Sequence, residues 1–130
     1  MVYCIALAVL VGQATYYAPG VMDEVVARRL AWGQVNPCEA TPGCSGYVAT
    51  LDCEHIGRSA LVWVADSFAG RFTVADCARA QDAPGLAARG WAVDLDWPTA
   101  RRYGLRAPAP ARVFVLDCFP LQPTASEVPT

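Results

Sequence analysis

Residues 60–76 read ALVWVADSFAGRFTVAD, and this stretch decides the fold class of the chain. Its two runs, 60–66 and 71–76, are rich in β-branched and aromatic residues, which fit the pleated surface of a β-sheet. The short segment between them contains Gly70, which favours a tight connection. The stretch therefore predicts a β-hairpin in the middle of the chain, and with it a β-rich domain.

The segments on either side of this hairpin continue the pattern. Further strands are predicted at 12–17, 47–52, 91–96 and 112–118. A short helix is predicted at 22–32, with acids early and arginines late, and a second after Asp96, which can cap it, with Pro98 in its first turn. About six or seven short strands with one or two short helices are typical of a small closed barrel.

Length and charge restrict the class of protein. The chain has 130 residues and a formal net charge of −2, which indicates one domain and argues against nucleic-acid binding. We assign residues 12–118 to the domain and 119–130 to a peripheral or disordered tail. Residues 1–11 are apolar and predict either a first strand or a degenerate signal or anchor. They are too short for a transmembrane helix.

Six cysteines in so short a chain predict a disulfide framework formed outside the reducing cytosol. The alternative is a metal site, because three of the cysteines lie near His55. The close spacing of zinc ribbons is missing, so no metal and no cofactor are predicted. The disulfide candidates are Cys4, Cys38, Cys44, Cys53, Cys77 and Cys118.

Three motifs resemble a known family. GQATYYAPG (12–20) resembles the opening G-x-A-S-W-Y-G-x-G of the rare lipoprotein A family, and 60–78 resembles the paired strands of that family. GWAVDLDWPTARRYGL (90–105) resembles its G-R-I-I-D-L-S segment and the helix that follows. The Asp76–Cys77 pair also resembles expansins and barwin-like proteins. The resemblance implies a six-stranded double-psi β-barrel, braced here by disulfides.

The resemblance also implies a function. Proteins of these families meet polysaccharide, especially the peptidoglycan of bacterial cell walls, and some are lytic transglycosylases that need no metal. Asp76 is then the candidate general acid, and Gly70–Arg71 fills the family's N-G-R turn, which makes Arg71 a ligand-binding candidate. Leu51 stands where the family has a histidine, and the only histidine, His55, comes a few residues later.

Each candidate has a structural alternative. Asp76 is either the working carboxylate or an ordinary strand end. Asp94 is a weaker second acid, and a structural brace is favoured. His55 is a ligand-binding candidate or part of a polar turn. Tyr17 and Trp97 are predicted to offer aromatic surface to a sugar, whereas Trp63 is expected in the core.

The sequence therefore predicts an extracytoplasmic barrel, secreted or on the cell surface, that binds or remodels cell-wall glycan. Its activity would be lytic-transglycosylase-like or expansin-like. The alternative is a non-catalytic structural or interaction subunit, present as a homo-oligomer or within an extracellular, virion or tail assembly.

Overall fold

Six β-strands hydrogen-bond in a closed ring in the computed structural model, which describes residues 2–120. The ring order is β1-β5-β2-β4-β3-β6, and the pairs β1/β5 and β2/β4 are parallel. In chain order the strands are β1 (Val2–Tyr16), β2 (Cys44–Thr50), β3 (Ser59–Val64), β4 (Ser67–Cys77), β5 (Trp91–Leu95) and β6 (Ala109–Pro120). This architecture confirms the prediction of an all-β domain.

The interior of the ring is filled by one face of each strand. Along β3 every second residue is buried, so Val62 and Val64 point inward with Phe72, Leu95 and Val113. Trp63 then takes the outer face, because successive side chains of a strand point to opposite sides. The prediction that Trp63 belongs to the core is wrong, since its strand alternates and the smaller valines occupy the interior.

Three short helices cover parts of the ring: α1 (Val21–Ala31), α2 (Ala83–Ala88) and α3 (Trp97–Arg102). Helix α1 packs on the outside of β2 and β4, where its buried Met22 and Val25 contact Ala49 and Ala75. Helix α3 begins as the sequence predicts. Asp96 caps it by accepting a hydrogen bond of 2.9 Å from the Thr99 backbone amide.

All six cysteines form disulfides, which confirms the predicted framework and leaves no thiolate for a metal. The pairs are Cys4–Cys118, Cys38–Cys44 and Cys53–Cys77. Within residues 2–120, no helix is long and apolar enough to cross a membrane.

Residues 2–11 lie in the same strand as 12–16, and β1 is antiparallel to β6 over most of its length. At the far end of this pair, Tyr3 and Val2 align with Phe119 and Pro120, so β6 extends into the segment predicted as a tail. The rest of that predicted tail, 121–130, lies outside the described residues.

Candidate carboxylate site

Four residues align across four neighbouring strands on the outer surface of the ring. Thr15 of β1 pairs with Asp94 of β5, Asp94 pairs with Ala49 of β2, and Ala49 pairs with Asp76 of β4. We call this set the carboxylate row. Ala49, whose side chain is only a methyl group, lies between the two acids. Asp94 and Asp76 are therefore two strand spacings, roughly 9.5 Å, apart along the sheet.

Asp76 lies at the covered end of the row, with both carboxylate oxygens occupied. The Tyr17 hydroxyl donates a hydrogen bond of 2.6 Å to Oδ2, and Arg29 of α1 forms a salt bridge of 3.1 Å with Oδ1. Arg29 is itself held in place by the Ala75 carbonyl and by Gln34. Because α1 packs on the sheet, the guanidinium of its Arg29 lies next to the Asp76 carboxylate.

Asp94 lies on the other side of Ala49, next to Thr15, and has a different environment. Its Oδ1 accepts hydrogen bonds from the Thr15 hydroxyl and, at 3.2 Å, from the indole N–H of Trp91. That indole also lies 2.7 Å from the Thr15 oxygen. Within residues 2–120, Oδ2 of Asp94 accepts no hydrogen bond, so it is the oxygen that can carry a proton.

The acid–base properties follow from these surroundings. Burial raises the pKa of Asp94 from 3.8 to about 6; the Trp91 N–H opposes this shift, and the negative charge of Asp76 adds to it. Burial also raises the pKa of Tyr17, and so does its hydrogen bond to Asp76. Tyr17 thus stays protonated and remains a hydrogen-bond donor over the physiological pH range, whereas Asp94 titrates just below that range.

A pocket of about 380 Å³ opens beside Asp94. Trp91 contributes an aromatic ring to its lining, Arg89 a cation, and Gln13 and Thr15 further polar groups. Ligand-binding and active sites typically combine an apolar surface, a small number of polar groups and an acid whose pKa is raised. Asp76 does not line this pocket.

The other candidates from the sequence lie apart from the row. His55 is buried, with Nδ1 3.0 Å from the Thr50 hydroxyl and Nε2 3.6 Å from Asp52. Thr50 is completely buried, so this arrangement offers no accessible nucleophile. The Arg71 guanidinium lies 3.9 Å from the Cys118 sulfur, and the Trp97 ring packs against Tyr16.

Sequence reasoning missed three members of the site. The sequence places Arg29 only among the late arginines of the helix predicted at 22–32, and it connects neither Thr15 nor Trp91 with Asp94. Trp91 and Asp94 lie three residues apart, a spacing that puts side chains on opposite faces of a regular strand. Their contact therefore depends on the register shift between β1 and β5, where Gln13 pairs with Trp91 and Ala14 with Val93. The contacts of Thr15 and Arg29 join residues that are 79 and 47 positions apart in the chain, and no local pattern reports them.

No protein-family model matches the chain, and neither does any curated protein or solved structure with which it was compared.

Proposed function

We propose that this protein is an extracytoplasmic double-psi β-barrel that binds and remodels cell-wall polysaccharide, peptidoglycan first. The closed ring of six strands with two parallel pairs supports the barrel type, because such pairs need crossing connections. The three disulfides support an oxidising compartment. The function itself rests mainly on one observation, the environment of Asp94.

Asp94 combines what a general acid needs. Its pKa of about 6 leaves it partly protonated near neutral pH, its Oδ2 is free, and it faces an open pocket with an aromatic wall. Asp76 has no free oxygen to present, because Arg29 and Tyr17 occupy both. In this proposal the acid role moves from Asp76 to Asp94, and Asp76 acts by keeping negative charge nearby.

The reaction we propose is non-hydrolytic. The proton on Asp94 Oδ2 passes to the oxygen of the glycosidic bond as the bond from that oxygen to the anomeric carbon breaks. The C6 hydroxyl of the same sugar closes on the anomeric carbon, and its proton returns to the Asp94 carboxylate. No water is consumed, and the product is an anhydro sugar. Trp91 offers a face for a pyranose ring, and Arg89 a donor for its substituents.

The test is binding and turnover of purified peptidoglycan by the wild type, Asp94→Asn and Asp76→Asn, with Asp23→Asn as a surface control on α1. We expect anhydro-muropeptides from the wild type at pH 5, less at pH 8 as Asp94 ionises, and none from Asp94→Asn. The control should match the wild type.

Other outcomes are equally decisive. If Asp94→Asn remains active and Asp76→Asn does not, the acid is Asp76. If the variants and the wild type bind peptidoglycan without releasing product, the barrel is a binding module of the expansin kind. If nothing binds, the cell-wall proposal fails.

The exposed side of β1 favours a second candidate, a structural or interaction subunit. Its apolar side chains are unusually exposed; Val11, for example, is 73% accessible and Val2 57%. Adjacent apolar residues on a strand often mark a protein contact. Light scattering coupled to gel filtration tests this: a stable oligomer that Ile5→Glu dissociates supports the subunit, and a monomer at all concentrations contradicts it.

A further inference from the structure

A second set of functional groups lies on the outer face of the ring around Trp63. The Trp63 ring is in contact with Phe68 and Phe114, at centroid distances of 4.9 and 5.4 Å. The guanidinium carbon of Arg112 lies 5.6 Å from the centroid of the Trp63 ring. This aromatic surface with a cation on it is separate from the carboxylate row.

Arg112 has no carboxylate partner within residues 2–120, where the salt bridges formed by arginine involve Arg29, Arg58 and Arg79. A guanidinium that lies over an aromatic ring and forms no salt bridge within residues 2–120 keeps its N–H donors available to an anion. The Arg112 site is therefore suited to a ligand that carries a carboxylate.

The Arg112 side chain lies at the wall of a pocket of about 210 Å³. Trp63 and Arg112 line it, together with Pro110, Val11 and Asp66. Asp66 lies in the two-residue turn between β3 and β4, where Ala65 and Asp66 both have positive φ. It can accept hydrogen bonds from hydroxyl groups while Arg112 binds the acid, a combination that fits an acidic sugar.

The two pockets share one face of β1. Trp63 pairs with Arg112 and Arg112 pairs with Val11, so these three form a row parallel to the carboxylate row. Val11, Gln13 and Thr15 point to the same side, because they are alternate residues of one strand. Val11 lines the Arg112 pocket, and the other two line the Asp94 pocket. Along the strand the two rows are about 13 Å apart.

A third pocket, of about 290 Å³, adjoins both. It runs along the edge of β1 at Val9–Val11 and reaches Trp91, so it shares Val11 with the Arg112 pocket and Trp91 with the Asp94 pocket. Strand β5 pairs only with the later part of β1, from Gln13 onward, which leaves this edge open. The third pocket thus shares lining residues with both of the others, and we call the surface that these three pockets form between Asp94 and Arg112 the track.

We infer that the Trp63–Arg112 pocket is an outlying subsite of the polysaccharide track and binds a sugar that carries a carboxylate. The inference rests on the proposed function, because the track begins at Asp94. It adds a basis for selectivity: Asp94 would act on any suitable glycosidic bond, whereas Arg112 would favour acidic polymers over neutral ones of the same length.

The test measures binding by calorimetry in the Asp94→Asn background, which prevents turnover. Three ligands of equal length are compared: glycan strands of alternating N-acetylglucosamine and N-acetylmuramic acid, neutral chitin oligomers, and oligogalacturonate. A neutral disaccharide, too short to reach from Asp94 to Arg112 and without a carboxylate for Arg112 to bind, reports on the Asp94 pocket. Arg112→Gln removes the charge, Arg112→Lys keeps it, and Arg106→Gln is the control at an exposed arginine outside the pocket.

We expect Arg112→Gln to weaken binding of the long acidic strands about tenfold, the effect of losing one charged hydrogen bond. Neutral oligomers should lose much less, and Arg112→Lys should restore part of the affinity. Whether the muramic or the uronic polymer responds identifies the source of the carboxylate.

Unchanged binding of both acidic polymers by Arg112→Gln would overturn the inference, and so would an equal loss for neutral and acidic oligomers. In either case disaccharide binding at the Asp94 pocket, and turnover by the parent protein, would still support the proposed function. If no ligand binds to any variant and the parent shows no turnover, the proposed function itself has failed.

Discussion

Asp94 and Asp96 lie two residues apart, but their carboxylates have opposite roles. Asp96 is buried and accepts backbone hydrogen bonds from Tyr47, at 2.7 Å, and from Thr99, so it ties β2 to the start of α3. Asp94 leaves one oxygen without a hydrogen bond from the described residues. Asp96 therefore braces β2 against the start of α3, whereas Asp94 keeps the oxygen that the proposed function requires.

The raised pKa of Asp94 predicts a specific dependence of stability on pH. The pKa of Asp94 is 3.8 in the unfolded chain and about 6 in the folded protein, so at pH values between these two the folded state keeps a proton that the unfolded state loses. The stabilisation is therefore complete below about pH 3.8 and is lost as the pH rises through 6. For a shift of this size it amounts to about 3 kcal/mol.

Urea unfolding at a series of pH values checks this prediction. Other acids titrate in the same range, so the relevant quantity is the free energy of unfolding of the wild type minus that of Asp94→Asn. We expect this difference to decrease by about 3 kcal/mol between pH 3.5 and 7. A difference that stays constant with pH would show that Asp94 titrates normally. Asp23→Asn, which removes an acid at an exposed position on α1, is the control variant.

At the scale of elements, Gly46 fixes the distance between β2 and the start of α3. Its φ of 156° is unusual for other residues, and a Cβ at this position would overlap the Asp96 carboxylate. We predict that Gly46→Ala lowers the free energy of unfolding by about 2 kcal/mol or more, because it combines backbone strain with displacement of a buried acid.

Gly85 is the matched control, since it lies within α2 with nothing near its Cβ position. Gly85→Ala should raise stability by about 0.5–1 kcal/mol through helix propensity alone. Thermal or urea unfolding of both variants measures the contrast. If Gly46→Ala is as stable as the wild type, the carboxylate of Asp96 can move without cost, and its bracing role is weaker than its contacts indicate.

The elements also show why the sequence predicted the fold better than the site. Alternation predicts the strands, and the cap at Asp96 predicts α3, because both signals are local. The carboxylate row depends on register: Ala49 must face both Asp76 and Asp94, and parallel pairing through long connections sets that match. The covered end depends on α1 docking, which brings Arg29 to Asp76. Neither relation is encoded within one segment.

For the whole molecule, closure of the ring joins the two ends of the described chain. β1 and β6 pair from Val2 to Ala14, and Cys4–Cys118 crosslinks them near the far end of this pairing. The side chains around that disulfide are largely exposed, with Tyr3 at 46% and Ile5 at 52%. The disulfide therefore adds little buried contact, and its contribution comes mainly from restricting the unfolded chain.

The three disulfides are expected to differ in their contribution to the free energy of unfolding according to the length of the loop that each one closes. Cys4–Cys118 has a sequence separation of 114 and Cys38–Cys44 a separation of 6. In the chain-entropy description, the crosslink that closes the long loop stabilises the fold by about 5 kcal/mol and the one that closes the short loop by about 2 kcal/mol. Replacing each pair by serine and measuring urea unfolding under oxidising conditions tests the ranking. Equal losses from the two pairs would mean that structure remaining in the unfolded chain, rather than loop length, sets the contribution of each crosslink. A larger loss from the terminal pair would show that the crosslink closing the longest loop contributes most to keeping the ring closed.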